Sequence, residues 1–240
     1  MDLTPLVQKM SRRDVVSSTE AEHLDRLLSP VRRVAARTEL VRQGQMPGHS
    51  TLLLSGLCGR VTTLADGARQ ITQLSLAGDF LDLHSFLLAV MDHSVVALTE
   101  VTYCTLAHDD LRRLTESEPH LTRLLWLETV VDAAIHRQWI VSKGRRSGQA
   151  QLAHVFCELY TRLEAAGLAL DHRFDLPLTQ IDLADVMGMS SVHTNRLLQG
   201  MRQAGLIQWT GSEVVLRNWD AMTDMAEFDP TYLRLERAPV

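Results

Sequence analysis

The sequence predicts an α+β chain in three successive parts: a β-rich first half, one long helix, and a helical C-terminal half that closes with a small hairpin. Three observations carry this. Between Val34 and Leu106, glycines 44, 56, 67 and 78 stand 12, 11 and 11 residues apart, a turn spacing that suits the short strands of a sandwich or barrel. From Pro119 a helical run, PHLTRLLWLETVVDAAIHRQWIVSKG, reaches Gly144 without an internal breaker. Between Thr179 and Ile207 two short segments of helical period flank Gly188, the pattern of two packed helices joined by a tight turn.

Within the β-rich part, Asp66-Gly67 separates Arg60-Val61-Thr62-Thr63 from Gln70-Ile71-Thr72-Gln73-Leu74, and Asp-Gly is a strong hairpin signal because glycine accepts the positive φ the turn requires. In the long helix, Leu124, Leu127, Val131, Ala134 and Val141 recur at spacings compatible with one face. Such a seam needs a partner surface, and the expectation is that different faces serve the chain's own barrel and a second subunit. Gly144-Arg145-Arg146-Ser147-Gly148 reads as a hinge, followed by another helical stretch from Ala150 to Ala166. The expected boundaries are therefore 1–118, 119–143 and 144–240.

The 240 residues, 45% hydrophobic and 22% charged, are ordinary for a soluble protein of two modest domains. No apolar run reaches the roughly 18 residues of a membrane span. The opening MDLTPLVQKMSRRDVV carries charges where an export signal would be apolar, so a cytoplasmic location with no membrane partner is expected. Cys58, Cys104 and Cys157 form no C-x-x-C pair and read as reduced, buried thiols. The chain carries a net charge of −5. Residues 143–219 carry one net positive charge, and the tail from 220 onward three net negative ones. This weak basic signal means that a nucleic-acid reading must rest on pattern. The acidic tail from Asp220 to Asp229 is expected to be a solvated surface helix.

That pattern is specific. Thr179 is placed to cap a short helix whose apolar face is Ile181, Leu183, Ala184, Val186 and Met187, ending at Gly188. Ser190 is placed to cap a second helix with Thr194, Leu197, Leu198 and Met201 inward. Its outer surface then presents Ser191, Val192, His193, Asn195, Arg196 and Gln199, near the end that a recognition helix pushes into the major groove. Arg196 is the first candidate for base contact, because a guanidinium donates two hydrogen bonds to guanine O6 and N7. Asn195 can read adenine or hold a phosphate, and Thr179, Gln180, Ser190 and His193 are candidates for backbone contacts that fix register. After Gly205, Leu206 to Trp209 and Glu213 to Leu216 flank Thr210-Gly211-Ser212 as a wing.

LTQIDLADVMGMSSVHTNRLLQGMRQAGLI and, less specifically, DGARQITQLSLAGDF resemble the Crp/Fnr superfamily of bacterial transcription regulators, a similarity that runs from about Glu39 to Leu216. The resemblance implies an N-terminal β-roll of double-stranded β-helix or jelly-roll type, similar to a cyclic-nucleotide-binding sensor domain. It also implies a long dimerisation helix and a winged helix-turn-helix, a homodimer on an inverted repeat of double-stranded DNA, and contact with RNA polymerase. It places the family's recognition arginine on Arg196 and the other base-reading positions on Ser191, Val192 and Asn195. Val192 departs from the glutamate that reads cytosine in many members; contact with a thymine methyl is its available substitute.

The sensor departs as well. Nucleotide-binding members hold ribose and phosphate with a Gly-Glu pair and an arginine in the stretch that here reads GDFLDLHSFLLAVMDHSVVA, and no Lys or Arg lies between Arg69 and Arg112. A buried phosphate needs a cation or aimed N–H donors, so no ordinary cAMP response is expected, and the effector is left open. Three scattered cysteines cannot hold an iron-sulfur cluster. His84, His93, His108 and Cys104 are the residues that would have to converge for a haem or metal sensor, an alternative within the same fold; the expectation is that no metal and no cofactor is bound. An enzyme built on Asp79, Asp82, His84 and Asp92 is the rival from another class, but no nucleophile accompanies them and no catalytic fingerprint is present. A third reading, a dimerising barrel with an inactive head, would be separated by Arg196→Ala.

Overall fold

The computed structural model describes residues 2–240. Two helices come first, α1 (Thr4–Arg13) and α2 (Ser18–Leu27). The second opens with a capping box in which Ser17 and Glu20 satisfy each other's backbone N–H groups. The roll follows, built from β1 (Arg32–Val34), β2 (Glu39–Val41), β3 (His49–Ser55), β4 (Cys58–Thr63), β5 (Arg69–Ser75), the short α3 (Ser85–Leu88), β6 (Ser94–Ala97) and β7 (Val101–Ala107). Two antiparallel sheets, in the orders β1-β7-β3 and β2-β6-β4-β5, face each other. Between them lie Val41, Leu53, Cys58, Leu81, Val95, Ala97 and Val101, so the alternation is read from both inner faces. The hairpin at Asp66-Gly67 forms as expected, with Thr63 opposite Arg69. All three cysteines are free and buried.

After α4 (His108–Ser117), the long helix α5 runs from Pro119 to Arg145. Its apolar residues do not share one fate. Leu121, Leu124, Leu125, Ile135 and Trp139 are buried against the rest of the chain. Trp126, Val130, Ala133, Arg137, Ile140 and Gly144 are all exposed, at the alternating four-three spacing of a coiled-coil seam. The five residues grouped from the sequence therefore straddle two faces: Leu124 is buried, whereas Val141 is 48% exposed. The chain breaks two residues later than Gly144, where extended Arg146 ends α5 and the Ser147 side chain caps α6 (Gly148–Ala165).

The remainder comprises β8 (Ala169–Leu170), β9 (Arg173–Asp175), α7 (Gln180–Met187), α8 (Ser191–Gln203), β10 (Ile207–Thr210), β11 (Glu213–Leu216) and α9 (Trp219–Ala226). Helix α6 is buried almost all round, the signature of a central core helix. The acidic tail corrects the sequence reading. α9 is not a free surface helix: Met222 and Ala226 are fully buried. Beyond it the Tyr232 ring stacks on His154, and its hydroxyl donates to Glu158 at 2.7 Å. The acidic residues line the outer side of a helix whose inner side is apolar. Among the described residues, no helix is long and apolar enough to cross a membrane.

Candidate nucleic-acid interface

The two helices of the reading head form as their caps dictate. Thr179 accepts from the Asp182 backbone N–H at 3.1 Å, and Ser190 accepts from that of His193 at 3.3 Å. Gly188 closes α7 in the left-handed region at φ 66°, where a side chain would be strained. Thr194, Leu198 and Met201 are buried and Leu197 half-buried, as the inward face requires. Ile181 differs: it is 63% exposed, because the inward side of α7 is taken by Leu183, Ala184, Val186, Met187 and, unexpectedly, Asp182.

The outer face of α8 is open. Arg196 and Gln199 are exposed, Ser191, His193 and Asn195 are partly so, and Val192 is 82% exposed. Thr179, Gln180 and Ser190 are exposed beside them. Two contacts order this surface. Asn195 Nδ2 donates to Gln180 Oε1 at 2.7 Å, tying the start of α7 to α8. Arg196 Nη2 lies 2.8 Å from His193 Nδ1, which extends the guanidinium along the helix. The wing pairs Ile207 with Leu216 and Thr210 with Glu213, and Arg202 donates to the Trp209 carbonyl at 2.9 Å, joining α8 to it. The start of α6 supports α8 from behind: a Cβ at Gly148 would meet Leu197 Cδ1 at 2.7 Å, the end of a flexible side chain that would have to turn aside.

Charges from the roll hold the head. Arg37 donates to both carboxylate oxygens of Asp182, at 2.5 and 2.8 Å. Arg69 reaches Asp182 at 2.8 Å and Asp185 at 2.7 Å. Gln70 Nε2 donates to the Asp185 carbonyl at 2.6 Å, and Lys143 of α5 to the Val186 carbonyl at 2.5 Å. Burial alone would raise the Asp182 carboxyl, but hydrogen bonds from Arg37 and Thr179 outweigh it and hold the group below its ordinary value. Behind these contacts one apolar cluster runs without interruption from Val61, Ile71 and Leu74 of the roll, through Ile135 and Trp139, to Phe156, Leu183 and Met201. None of Arg37, Arg69 or Gln70 stood out in the sequence. The signal was Asp182 itself, a charge on the inward side of an apolar helix, which demands a partner.

This order of parts has relatives. The sequence profile of the cyclic nucleotide-binding domain matches residues 31–118, and that of the Crp-like helix-turn-helix domain matches residues 150–225. A "probable transcriptional activator" of Rhizobium leguminosarum bv. viciae is 25% identical over 177 residues, 74% of this chain and 72% of that protein. The nitrogen fixation regulation protein FixK of Bradyrhizobium diazoefficiens is 30% identical over 155 residues, 65% of this chain and 64% of its own length. The structure of FixK2 from Bradyrhizobium japonicum superposes with a TM-score of 0.74 at 19% identity, covering 81% of this chain and 96% of that one. The chain belongs to the Crp/Fnr superfamily. This Crp/Fnr protein is a DNA-binding transcription regulator and not an enzyme.

In the N-terminal half of the regulator, a cavity of about 70 Å³ lies between the roll, α1, α5 and α6. A pocket for a drug-sized ligand occupies roughly 300–1,000 Å³. The cavity is not without cations, because Lys9, Arg60 and Arg162 enter it from outside the segment between Arg69 and Arg112. Each is matched by the protein itself. Arg60 pairs with Asp132 at 2.5 Å, Lys9 with Asp79 at 2.9 Å and Glu128 at 2.5 Å, and Arg162 with Asp79 at 2.6 Å. These charges draw the Asp79 carboxyl down to about 2 despite its burial.

The four residues named for a haem or metal do not converge. Cys104 is fully buried, and burial pushes its thiol up to about 11. His108 lies beside Ser50 and Ser85, edge-on to Phe86. His84 and His93 do meet, with ring centroids 5.3 Å apart. Burial lowers the pKa of both rings, that of His84 to about 4.

Proposed function

We propose that this regulator binds an inverted repeat of double-stranded DNA as a homodimer. Each protomer would lay the outer face of α8 in the major groove. In this reading Arg196 donates to a guanine edge and Val192 packs on a thymine methyl. Asn195, Ser191 and Gln199 complete the base-facing set, and Thr179, Gln180, Ser190 and His193 hold phosphates. The observation that carries it is the combination on α8 of an exposed Arg196 with a Val192 that is 82% exposed. A valine so placed covers nothing in the protein.

The exposed seam from Trp126 to Gly144 supports pairing through α5, which sets the two α8 helices about one DNA turn, roughly 34–36 Å, apart. Superfamily members bind DNA as dimers and contact RNA polymerase, and the same partners follow here, in the cytoplasm. Residues 1–118 act as the sensor, 119–143 as the dimerisation helix and 144–240 as the DNA-binding unit. Cyclic AMP is not the effector, because the cavity's cations already carry internal carboxylates; saturable micromolar uptake in calorimetry would contradict this. Selection from a random DNA pool with the full chain tests the main reading. A symmetric motif is expected, lost with Arg196→Ala; an asymmetric motif, or one unchanged in the variant, would overturn it.

A further inference from the structure

The connection from α3 to β6 brings together three groups that the DNA reading does not use. His84 stands at the start of α3, and Asp92 and His93 directly precede β6. One ligand atom from each of the three lies within 4.8 Å of the other two. The His84 and His93 rings are tilted by 37°. The Nε2 atoms of both rings are buried and have no hydrogen-bond partner. A buried polar atom left unpaired costs about 1–3 kcal/mol, and two such atoms on neighbouring rings call for a shared partner. Their lone pairs are what a borderline metal ion takes.

We infer that His84, His93 and Asp92 form a binding site for one divalent first-row metal ion of the zinc class, which would pin the α3–β6 connection to the roll. The donor set of two imidazoles and one carboxylate is that of open zinc sites, where three protein ligands leave a position for water. Tetrahedral binding at about 2.0–2.1 Å needs the donors to draw together by roughly an ångström. Asp92 can supply most of that movement, because its side chain is 74% exposed. Asp92 Oδ1 lies 2.7 Å from His93 Nδ1, a contact that orients the ring and that the carboxylate would give up to join an ion at Nε2. The positive charge of the nearby Arg60 guanidinium is offset in part by Asp132 at 2.5 Å, and the Asp92 carboxylate brings a negative charge to the site itself. His84 also lines the cavity shared with Asp132 and Ile135 of α5, so an ion there would bear on the dimerisation helix.

The test uses untagged full-length protein, stripped with chelator and titrated with Zn²⁺ against a chromophoric chelator, with Co²⁺ as an optical probe. One equivalent per chain is expected, with Co²⁺ absorption bands of four-coordinate intensity. His84→Gln and His93→Gln should each weaken binding at least tenfold, and His108→Gln should leave it unchanged. Absence of saturable binding to the wild type would overturn the inference. So would equal affinity in folded His84→Gln and His93→Gln variants, which would place the ion on other histidines. Should either variant fail to fold, the Co²⁺ spectrum of the wild type still decides, since six-coordinate bands alone would contradict the site. None of these readouts depends on DNA binding.

Discussion

The Arg37 guanidinium, from the turn between β1 and β2, grips both oxygens of the Asp182 carboxylate, a group with no solvent exposure on the first helix of the reading head. Roll and head are thus joined by ion pairs to a buried carboxylate as well as by a shared core. Removing the partners of a buried charge typically costs about 3–5 kcal/mol. The double variant Arg37→Ala/Arg69→Ala is expected to lose that order of stability in urea unfolding. Asp182→Asn should lose less, because the two partly exposed arginines can turn to water. A double variant as stable as the wild type would contradict the clamp.

In the proposed DNA complex, Val192 would set a base preference by contact with a thymine methyl. Replacing it with glutamate supplies an acceptor for cytosine N4. The preferred base at that position should move from thymine to cytosine, with discrimination of roughly 1–3 kcal/mol, measured by competition between duplexes that differ at one pair. An unchanged preference would place Val192 outside the groove.

The exposed seam of α5 predicts a stable dimer at twice the chain mass of 26.9 kDa. Val130→Glu/Ile140→Glu places charges where apolar side chains should meet, and a monomer is expected by light scattering. A variant that remains dimeric would move the interface elsewhere.

Asp82 is buried beneath β3, where it accepts from the Thr51 N–H at 2.5 Å, and burial raises its pKa to about 7. The folded chain therefore holds this proton more tightly than the unfolded chain. The stability that the protonated form contributes is complete below about pH 4 and is lost as pH rises to about 7, at up to roughly 1.4 kcal/mol per unit. Asp82→Asn removes this titration. Its Tm relative to the wild type should climb between pH 4 and 7; a constant difference would show that Asp82 does not titrate there.

Much of this was legible in the sequence, because caps, turns and helical period are local. Thr179, Gly188 and Ser190 bound their helices as expected, and Asp66-Gly67 turned its hairpin. What stayed hidden was tertiary. Which face of α5 meets the roll depends on neighbours that no spacing shows, so Leu124 and Val141, alike in spacing, lie on different faces. The acidic residues of the tail concealed the apolar side of α9, Met222 and Ala226. Lys9, Arg60 and Arg162 enter the cavity beside the roll from outside the segment between Arg69 and Arg112. His84 and His93, nine residues apart, met only because the α3–β6 connection folds back.

Two Arg196-bearing helices that address one duplex from the same side fix the spacing of its half-sites. Affinity for the selected repeat should fall to the non-specific level, about 10³-fold or more, when five base pairs are inserted between the half-sites, because the second half-site then faces away. Affinity unchanged by that half-turn would show that the two α8 helices do not grip one duplex together.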